Sequence, residues 1–359
     1  MKYNLLICTE SLRAGGAERL INEQLEIWDY QKWNVNLMVF SGNVDMPGTL
    51  NMGVKLNVLG ECSNWKAVIR VLRFCHKERI ELAICHLERP NKWMGLGARL
   101  ARAQVVTVVH NIGLYDKKNF LKKALLRLYY RYIPSKVVAV SEGVSEYLCE
   151  FGIPKEKITV IRNGINVRKL RERWGSDLCP HENNLCVLAR LEPAKGLDLL
   201  LKALSQVVDY SWKLKIIGEG SCYSELKHLT EDLELGNRVS FLGYQSEPFP
   251  YLNDVNIICM PSLREGLPMA LLECQALGIP AIVSDAGYLP RIIVDGHNGF
   301  VCNSGSVDSL KDALVRFFSA DQITREKMIF NAKIEAERYD INECVSMYMG
   351  LAESFCGKS

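Results

Sequence analysis

The chain carries, from Met260 to Gly299, the stretch MPSLREGLPMALLECQALGIPAIVSDAGYLPRIIVDGHNG. The β-branched run Val255–Cys259 before it predicts a buried strand, and Met269–Leu277 is apolar at helical spacing. Glu265 stands between them, where the helix is expected to begin. A strand, a turn and a helix in this order are typical of one unit of a parallel α/β sheet.

Two carboxylates in this stretch are expected to line one binding site. Glu265, Gly266 and Leu267 would present free backbone N–H groups at the positive end of the helix, and phosphate is the commonest occupant of such a site. Glu273 follows Glu265 by a little over two helical turns and falls near the same face. Both carboxylates can accept hydrogen bonds from hydroxyl groups. A phosphate flanked by two such groups suggests a nucleotide sugar.

Short β-rich runs alternate with helical patterns along the whole chain. In the first half these runs are Leu5–Cys8, Val35–Phe40, Leu82–Cys85, Val105–His110, Val137–Val140 and Ile158–Ile161. In the second half they are Leu185–Ala189, Leu214–Ile217, Val239–Leu242, Val255–Cys259 and Ala281–Val283. Gaps of about 15–30 residues fit the helical crossovers that parallel strands require. We therefore predict an α/β fold of two doubly wound, Rossmann-like domains facing across a cleft.

The boundary between the two domains is predicted after Arg162–Ile165, where the polar, poorly periodic stretch Arg168–Asn184 leads into the second half. This gives an N-terminal acceptor-side domain over 1–165 and a nucleotide-sugar-binding domain over 166–340. The last segment, 341–359, is expected to be a helix that packs back on the first domain.

The composition is that of a globular protein. The 359 residues suffice for two domains, and 48% of them are hydrophobic and 24% charged. The net charge of +3 is too small to indicate a nucleic-acid partner. Thirteen cysteines without CxxC or metal-ligand spacing favour a reducing compartment. With no signal peptide and no apolar run of about 20 residues, we expect a cytoplasmic protein, or a peripheral one on the cytoplasmic face of the inner membrane.

Further candidate positions fall at the expected ligand edge of each sheet. Arg190 is expected to close a strand and Lys195 to begin the next helix, where both would neutralise a diphosphate; either cation alone is also typical of a solvated loop.

Gly16, in Ala14–Glu18 before a predicted helix, would permit close approach of a phosphate or sugar, or form a tight turn. The absence of GxGxxG disfavours a dinucleotide.

Two histidines end predicted strands of the first domain. His110 can hydrogen-bond a sugar hydroxyl, transfer a proton or make only a structural hydrogen bond. His86 is similar, and Asn91 in the segment after it belongs to a candidate acceptor loop. In the second domain, Gly243 and Tyr244 form a turn that can hold a base with backbone groups or be an ordinary turn.

The segment Lys117–Lys136, KKNFLKKALLRLYYRYIPSK, contains seven Lys and Arg residues and no acid. Its helical pattern has an apolar face of Leu121, Leu125, Leu128 and Tyr132 and a basic row of Lys123, Arg127 and Arg131. This favours a helix lying on an anionic membrane surface, where each cation contributes about 1 kcal/mol. The alternative is a surface helix whose basic face is solvated.

With these pieces in order, the chain resembles the family-4 retaining glycosyltransferases, the glycosyltransferases group 1, of the GT-B fold. The resemblance covers nearly the full length. The residues that carry it are Glu265–Pro268, Glu273–Cys274, Gly278–Pro280, Asp295–Phe300, Gly15–Glu18, His110–Asn111, Ile161–Ile165, Arg190 and Lys195–Gly196.

The resemblance implies a role for each candidate. Glu265 would contact the transferred sugar, His110 would face the donor sugar, and these two are the catalytic candidates. Glu273 would bind the ribose hydroxyls. The other donor-binding candidates are Arg190, Lys195, Gly16, Gly266 and Leu267 for the diphosphate, and Gly243 and Tyr244 for the base. His86 and Asn91 are the acceptor candidates.

The chain departs from the family pattern at one loop. The family usually has a glycine pair and a glutamate where this chain has Gly287, Tyr288 and, three residues on, Arg291. Tyr288 replaces the second glycine and Arg291 the glutamate. We expect this loop to set the donor or acceptor specificity of this protein.

The expected activity is transfer of a sugar, with retention, from a UDP-sugar rather than a GDP-sugar. The acceptor would be a lipid-linked or growing bacterial surface polysaccharide such as O antigen, capsule or exopolysaccharide. No metal or cofactor is expected, since the cations and the helix end already supply positive charge at the leaving diphosphate. The alternatives are a GT-B nucleotide-sugar epimerase, a phosphorylase, and a non-catalytic partner subunit of a glycosyltransferase.

Overall fold

The computed structural model describes residues 2–12, 15–41, 53–111, 120–175 and 183–356. Ala14, the first residues of the basic segment (117–119) and much of the predicted linker (176–182) lie outside these ranges. The chain divides into two compact units. Unit 1 comprises Met1–Gly164 and Ile341–Ser359, and unit 2 comprises Ile165–Asp340.

Unit 1 is built on a parallel sheet of seven strands in the order β3-β2-β1-β4-β5-β6-β7. The strands are β1 (Tyr3–Thr9), β2 (Trp33–Val39), β3 (Lys55–Val58), β4 (Leu82–His86), β5 (Gln104–Val109), β6 (Lys136–Ala139) and β7 (Ile158–Val160). The described helices are α1 (Gly16–Ile27), α2 (Asn64–Lys77), α3 (Gly95–Leu100), α4 (Phe120–Tyr132), α5 (Glu142–Phe151) and the C-terminal helix α13 (Ile341–Cys356).

Helices cover both faces of this sheet, which is why its central strands read as continuous apolar runs. Cys85 and Val105 pack with α2 and α3 in one buried cluster. On α1 and α13, the buried Gln24 amide lies 3.7 Å from the sulfur of Cys344. The C-terminal helix is therefore part of the core of unit 1.

Unit 2 has a parallel sheet of six strands in the order β10-β9-β8-β11-β12-β13. The strands are β8 (Asn184–Leu188), β9 (Lys213–Ile217), β10 (Val239–Gly243), β11 (Ile257–Met260), β12 (Ala281–Ser284) and β13 (Gly299–Cys302). The helices are α6 (Val167–Trp174), α7 (Leu197–Leu204), α8 (Tyr223–Asp232), α9 (Met269–Ala276), α10 (Leu289–Ile292), α11 (Val307–Phe318) and α12 (Gln322–Ala336). The two parallel sheets confirm the predicted class of two doubly wound α/β domains.

The predicted start of the helix at Glu265 is wrong. Helix α9 begins at Met269, after Pro268, and Glu265 lies in the preceding loop. The proline explains the difference, because it disfavours helical backbone at the residue before it. Glu265 is therefore held by the loop and not by the first turn of a helix.

The predicted positions of Arg190 and Lys195 are also wrong in detail. Strand β8 ends two residues before Arg190, and Lys195 closes a 3-10 turn that starts at Pro193. Helix α7 starts only after Gly196, which has a φ of +64°. A left-handed residue cannot continue a helix, so this glycine separates the turn from α7.

Within the described ranges, no helix combines the length and the apolar composition needed to cross a bilayer.

Candidate functional site

Glu265 is buried at the carboxyl edge of the unit 2 sheet and forms an ion pair with the half-buried Lys195. The carboxylate is 5% exposed, and its Oε1 lies 2.5 Å from Nζ of Lys195. The hydroxyl of Ser262 donates to the same oxygen over 2.9 Å. The backbone N–H of Leu263 donates to the carbonyl of Ala194 over 2.8 Å, which ties the loop after β11 to the loop after β8. The lysine compensates the charge of a carboxylate that water scarcely reaches.

Two glycines let three loops close on this pair. A Cβ on Gly196 would lie 2.3 Å from the carbonyl oxygen of Pro261, and one on Gly287 would lie 2.1 Å from the carbonyl oxygen of Glu265. Gly287 also has a φ of +58°. The loops after the neighbouring strands β8, β11 and β12 therefore touch at the backbone, and any side chain at either glycine would separate them.

The N-terminus of α9 adjoins this cluster and has no side-chain cap. Gly266 and Leu267 lie in the loop just before it, and both are buried. Among the described residues, no backbone acceptor is found for the N–H of Gly266 or Ala270. Uncapped N–H groups at a helix start, with a lysine beside them, form a site suited to phosphate oxygens.

The other candidates of unit 2 are spread along the same edge. Glu273 lies in the second turn of α9 and is buried. Arg190 is exposed, and no contact with Lys195 or Glu265 is found for it among the described residues. Gly243 ends β10, two strands from β8, with a φ of +66°; the N–H of Tyr244 donates to a carboxylate oxygen of Glu219 over 3.4 Å.

The loop that departs from the family pattern carries its aromatic side chain inward. Tyr288 is buried, immediately after Gly287 and before α10. The guanidinium of Arg291 lies 5.6 Å from the centre of the Tyr288 ring, within range of a cation–π contact. Through Gly287 this loop touches the backbone of Glu265, so a change in one displaces the other.

In unit 1 the two histidine candidates lie side by side. His86 is the last residue of β4 and His110 follows β5 directly. Nδ1 of His86 and Nε2 of His110 are 3.2 Å apart. Burial, and then the neighbouring His110, hold the pKa of His86 well below its usual value, and burial lowers the pKa of His110 to about 4. Both imidazoles are therefore neutral at physiological pH.

The acceptor candidates are less accessible than the sequence predicts. His86 is 1% exposed, and so is Asn91, whose amide donates to the carbonyl of Val108 over 2.8 Å. Both side chains are thus enclosed by protein and leave almost no surface that an acceptor could contact. Gly16 begins α1, whose N-cap Gly15 provides no side-chain cap, at the end of the loop that follows β1.

Sequence reasoning missed two residues of these sites. Ser262, a partner of Glu265, lies on the chain segment just after β11 and carried no motif signal. Tyr348 of α13 places its ring 6.4 Å from the His86 ring, centre to centre. No local signal could have found Tyr348, because it comes from a helix that is remote in sequence.

Two family models match consecutive parts of the chain. The model described as "Glycosyl transferases group 1" matches residues 168–335, and the one described as "Glycosyltransferase Family 4" matches residues 14–169. Together they include the histidine pair of unit 1 and the Lys195–Glu265 pair of unit 2.

Similar proteins span most of the chain. An N-acetylgalactosamine-N,N'-diacetylbacillosaminyl-diphospho-undecaprenol 4-alpha-N-acetylgalactosaminyltransferase from Campylobacter jejuni is 24% identical over 92% of this chain and 94% of its own length. A UDP-Gal:alpha-D-GlcNAc-diphosphoundecaprenol alpha-1,3-galactosyltransferase from Escherichia coli is 25% identical over 70% of each chain. The structure of Anabaena HepE in complex with UDP and glucose superposes with a TM-score of 0.83 at 19% identity, covering 98% of this chain and 100% of HepE. That likeness shows the shared GT-B fold.

Proposed function

This chain belongs to the glycosyl transferases group 1, and on that premise we propose that it transfers a hexose, with retention, from a UDP-sugar to a lipid-linked or growing bacterial surface polysaccharide. The observation that carries the proposal is the ion pair of half-buried Lys195 with buried Glu265, beside the uncapped start of α9. The names of the Campylobacter and Escherichia relatives describe sugar transfer to diphospho-undecaprenol carriers, and the second names a UDP-sugar. They support the same chemistry here.

We assign the donor to the carboxyl edge of the unit 2 sheet. The diphosphate lies at the N–H groups before α9, with Lys195 and Arg190 as its cations. Glu265 contacts the sugar, Glu273 the ribose, and the Gly243–Tyr244 turn the base. Charge already in place at the leaving diphosphate lowers the barrier without reorganisation, so the transfer proceeds without a metal or a cofactor.

Binding of the diphosphate draws Lys195 toward a phosphate oxygen. In the free protein Nζ is satisfied by Glu265, so the ammonium must be shared or released when the donor enters. The carboxylate that it frees is then available to the hydroxyls of the sugar. The acceptor attacks from the face that the diphosphate leaves, which gives retention at the anomeric carbon.

The exposed side of α4 supports work at a membrane surface. Leu121, Leu125, Leu128 and Tyr132 are 52–69% exposed, whereas Leu126 on the same helix is buried. Lysines and arginines of α4 flank this apolar row, and a helix of this kind binds anionic lipid headgroups. We propose that α4 holds the protein on the cytoplasmic face of the membrane, where a lipid-linked acceptor lies.

A transfer assay with matched variants tests the proposal. Wild-type protein, a panel of UDP-sugars and diphospho-undecaprenol-linked saccharides should give UDP and an extended lipid product, detected by mass spectrometry. Lys195→Met and Glu265→Gln should each lower turnover about 100-fold or more, by loss of charge at the reacting centre. Lys202→Met is the control, because Lys202 pairs with Asp198 in an exposed contact on α7.

Three outcomes would overturn the proposal. If Lys195→Met transfers sugar as fast as the wild type, the assignment of the donor site is wrong. A UDP-sugar altered in an acceptor-free incubation would indicate an epimerase. No donor consumption under any condition, with restored activity on adding a second glycosyltransferase, would indicate a partner subunit.

A further inference from the structure

The paired histidines of unit 1 differ in what their ring nitrogens contact. His86 is 1% exposed, its Nδ1 faces Nε2 of His110 over 3.2 Å, and its Nε2 has no hydrogen-bond partner among the described residues. His110 is only partly buried. One ring of the pair is thus enclosed by protein, and the other reaches the carboxyl edge of the sheet.

The unpartnered nitrogen decides where the protons lie. In one arrangement His110 donates to His86, and Nε2 of His86 must then carry a proton, which leaves a buried N–H without an acceptor. In the other, His86 donates from Nδ1 and its Nε2 is a bare lone pair. A buried N–H without an acceptor is the rarer and costlier defect, so the second arrangement is favoured.

We propose that His86 is a positioning residue that fixes His110 as the Nδ1–H tautomer, so that His110 presents a hydrogen-bond donor, and not a base, at the carboxyl edge of the unit 1 sheet. His86 occupies the Nε2 side of His110, and no hydrogen-bond partner is found for Nδ1 of His110 among the described residues. A general base would need a bare nitrogen toward the substrate, and this tautomer does not present one.

The C-terminal helix completes the support. The Tyr348 ring packs beside the His86 ring at 6.4 Å with an interplanar angle of 33°. Since Nε2 of His86 has no hydrogen-bond partner among the described residues, Tyr348 acts on His86 through packing. Because α13 lies at the far end of the chain, the direction of the His110 N–H depends on a segment remote from it in sequence.

Nitrogen NMR of histidine side chains on the full chain tests the tautomer directly. The signals of His110 are assigned from their loss in His110→Gln. We expect a proton on Nδ1 and none on Nε2 in the wild type and in Tyr348→Phe, and a tautomer mixture in His86→Leu. A proton on Nε2 of His110 in the wild type would overturn the proposal.

Kinetics of transfer provide the second readout, and only this half rests on the proposed function. His86→Leu should lower kcat about 10- to 100-fold, since misplacement of a positioned group costs up to this much. His86→Asn keeps an N–H near the place of Nδ1 and should recover most of that loss. Equal losses in both variants would overturn the positioning role. If the wild type transfers no sugar, the proposed function fails, and the NMR result still decides the tautomer.

Discussion

At the scale of single residues, the account depends on the charge balance between Lys195 and Glu265. Removing one partner of a buried ion pair leaves an uncompensated charge in the protein interior, whereas replacing both partners with neutral residues leaves no buried charge. We therefore predict that Lys195→Met lowers the free energy of unfolding by about 3 kcal/mol, and that adding Glu265→Gln restores much of it. Urea unfolding of the two single variants and the double variant measures the coupling; additive effects would show that the pair is not formed.

A second prediction concerns the backbone contact at Gly287. Gly287→Ala introduces a Cβ 2.1 Å from the carbonyl oxygen of Glu265 and an unfavourable φ, and we expect a loss of roughly 2–3 kcal/mol of stability. Gly296 has a φ of +73°, but the nearest atom to its added Cβ is 4.0 Å away. Gly296→Ala thus isolates the cost of φ and should lose only about 1 kcal/mol by the same measurement. Equal losses would contradict the close approach.

The neutral histidines predict how stability depends on pH. The pKa of His110 is lowered from 6.5 to about 4 in the native state, so the unfolded chain binds more protons between these values. The free energy of unfolding should therefore fall as the pH drops below about 6.5 toward 4. His110→Gln should flatten this fall, while His228→Gln, at an exposed surface position, should not. Urea denaturation at pH 7.5 and at pH 5 measures this difference in stability. An unchanged difference in His110→Gln would contradict the lowered pKa of His110.

At the scale of elements, the strands were the easiest part to predict. Runs such as Val105–Val109 are buried on both faces, and this leaves a continuous apolar signal. The prediction missed β3 (Lys55–Val58) and β13 (Gly299–Cys302), which are edge strands. The first alternates polar residues and the second begins with glycine, so neither gives such a run. The start of α9 was placed too early, because Pro268 disfavours helical backbone at the residue before it and the helix begins only at Met269.

Helix α4 gives a prediction at the same scale. If its exposed row contacts lipid, Leu121→Ser with Leu125→Ser should weaken sedimentation with phosphatidylglycerol vesicles at low salt about 10-fold or more, through lost apolar burial. Ile323→Ser with Ile334→Ser is the control, because both isoleucines are exposed on α12 of unit 2. Equal weakening in both pairs, or no sedimentation of the wild type, would contradict a role for α4 at the membrane.

At the scale of the whole molecule, the chain leaves unit 1 and returns to it. Helix α13 supplies Val345 and Tyr348 to the core of unit 1 after unit 2 is complete. A chain ending at Asp340 should lose protection from hydrogen exchange in α1 and β4 and keep it in the strands of unit 2. Removing only 357–359 is the control. Protection lost equally in both units would contradict this division.

The sites show where sequence reasoning stops. Motifs placed Glu265 and Lys195 at one sheet edge, because the strand before each could be recognised. Their direct contact depends on β8 and β11 being neighbours, which no local pattern specifies. The same limit applies to Tyr348, whose contact with His86 follows from the return of the last helix. The position of a residue after a recognisable strand predicts the sheet edge at which it lies. The order of the strands in the sheet determines which other residues it contacts.

Calorimetric titration of UDP into the purified chain tests the central claim most directly, because every UDP-sugar shares this group. We predict that UDP binds the wild type, that Lys195→Met and Arg190→Met weaken binding about 10-fold or more, and that Lys202→Met binds as the wild type does. Failure of UDP to bind, or equal affinity in Lys195→Met and the wild type, would contradict the donor site.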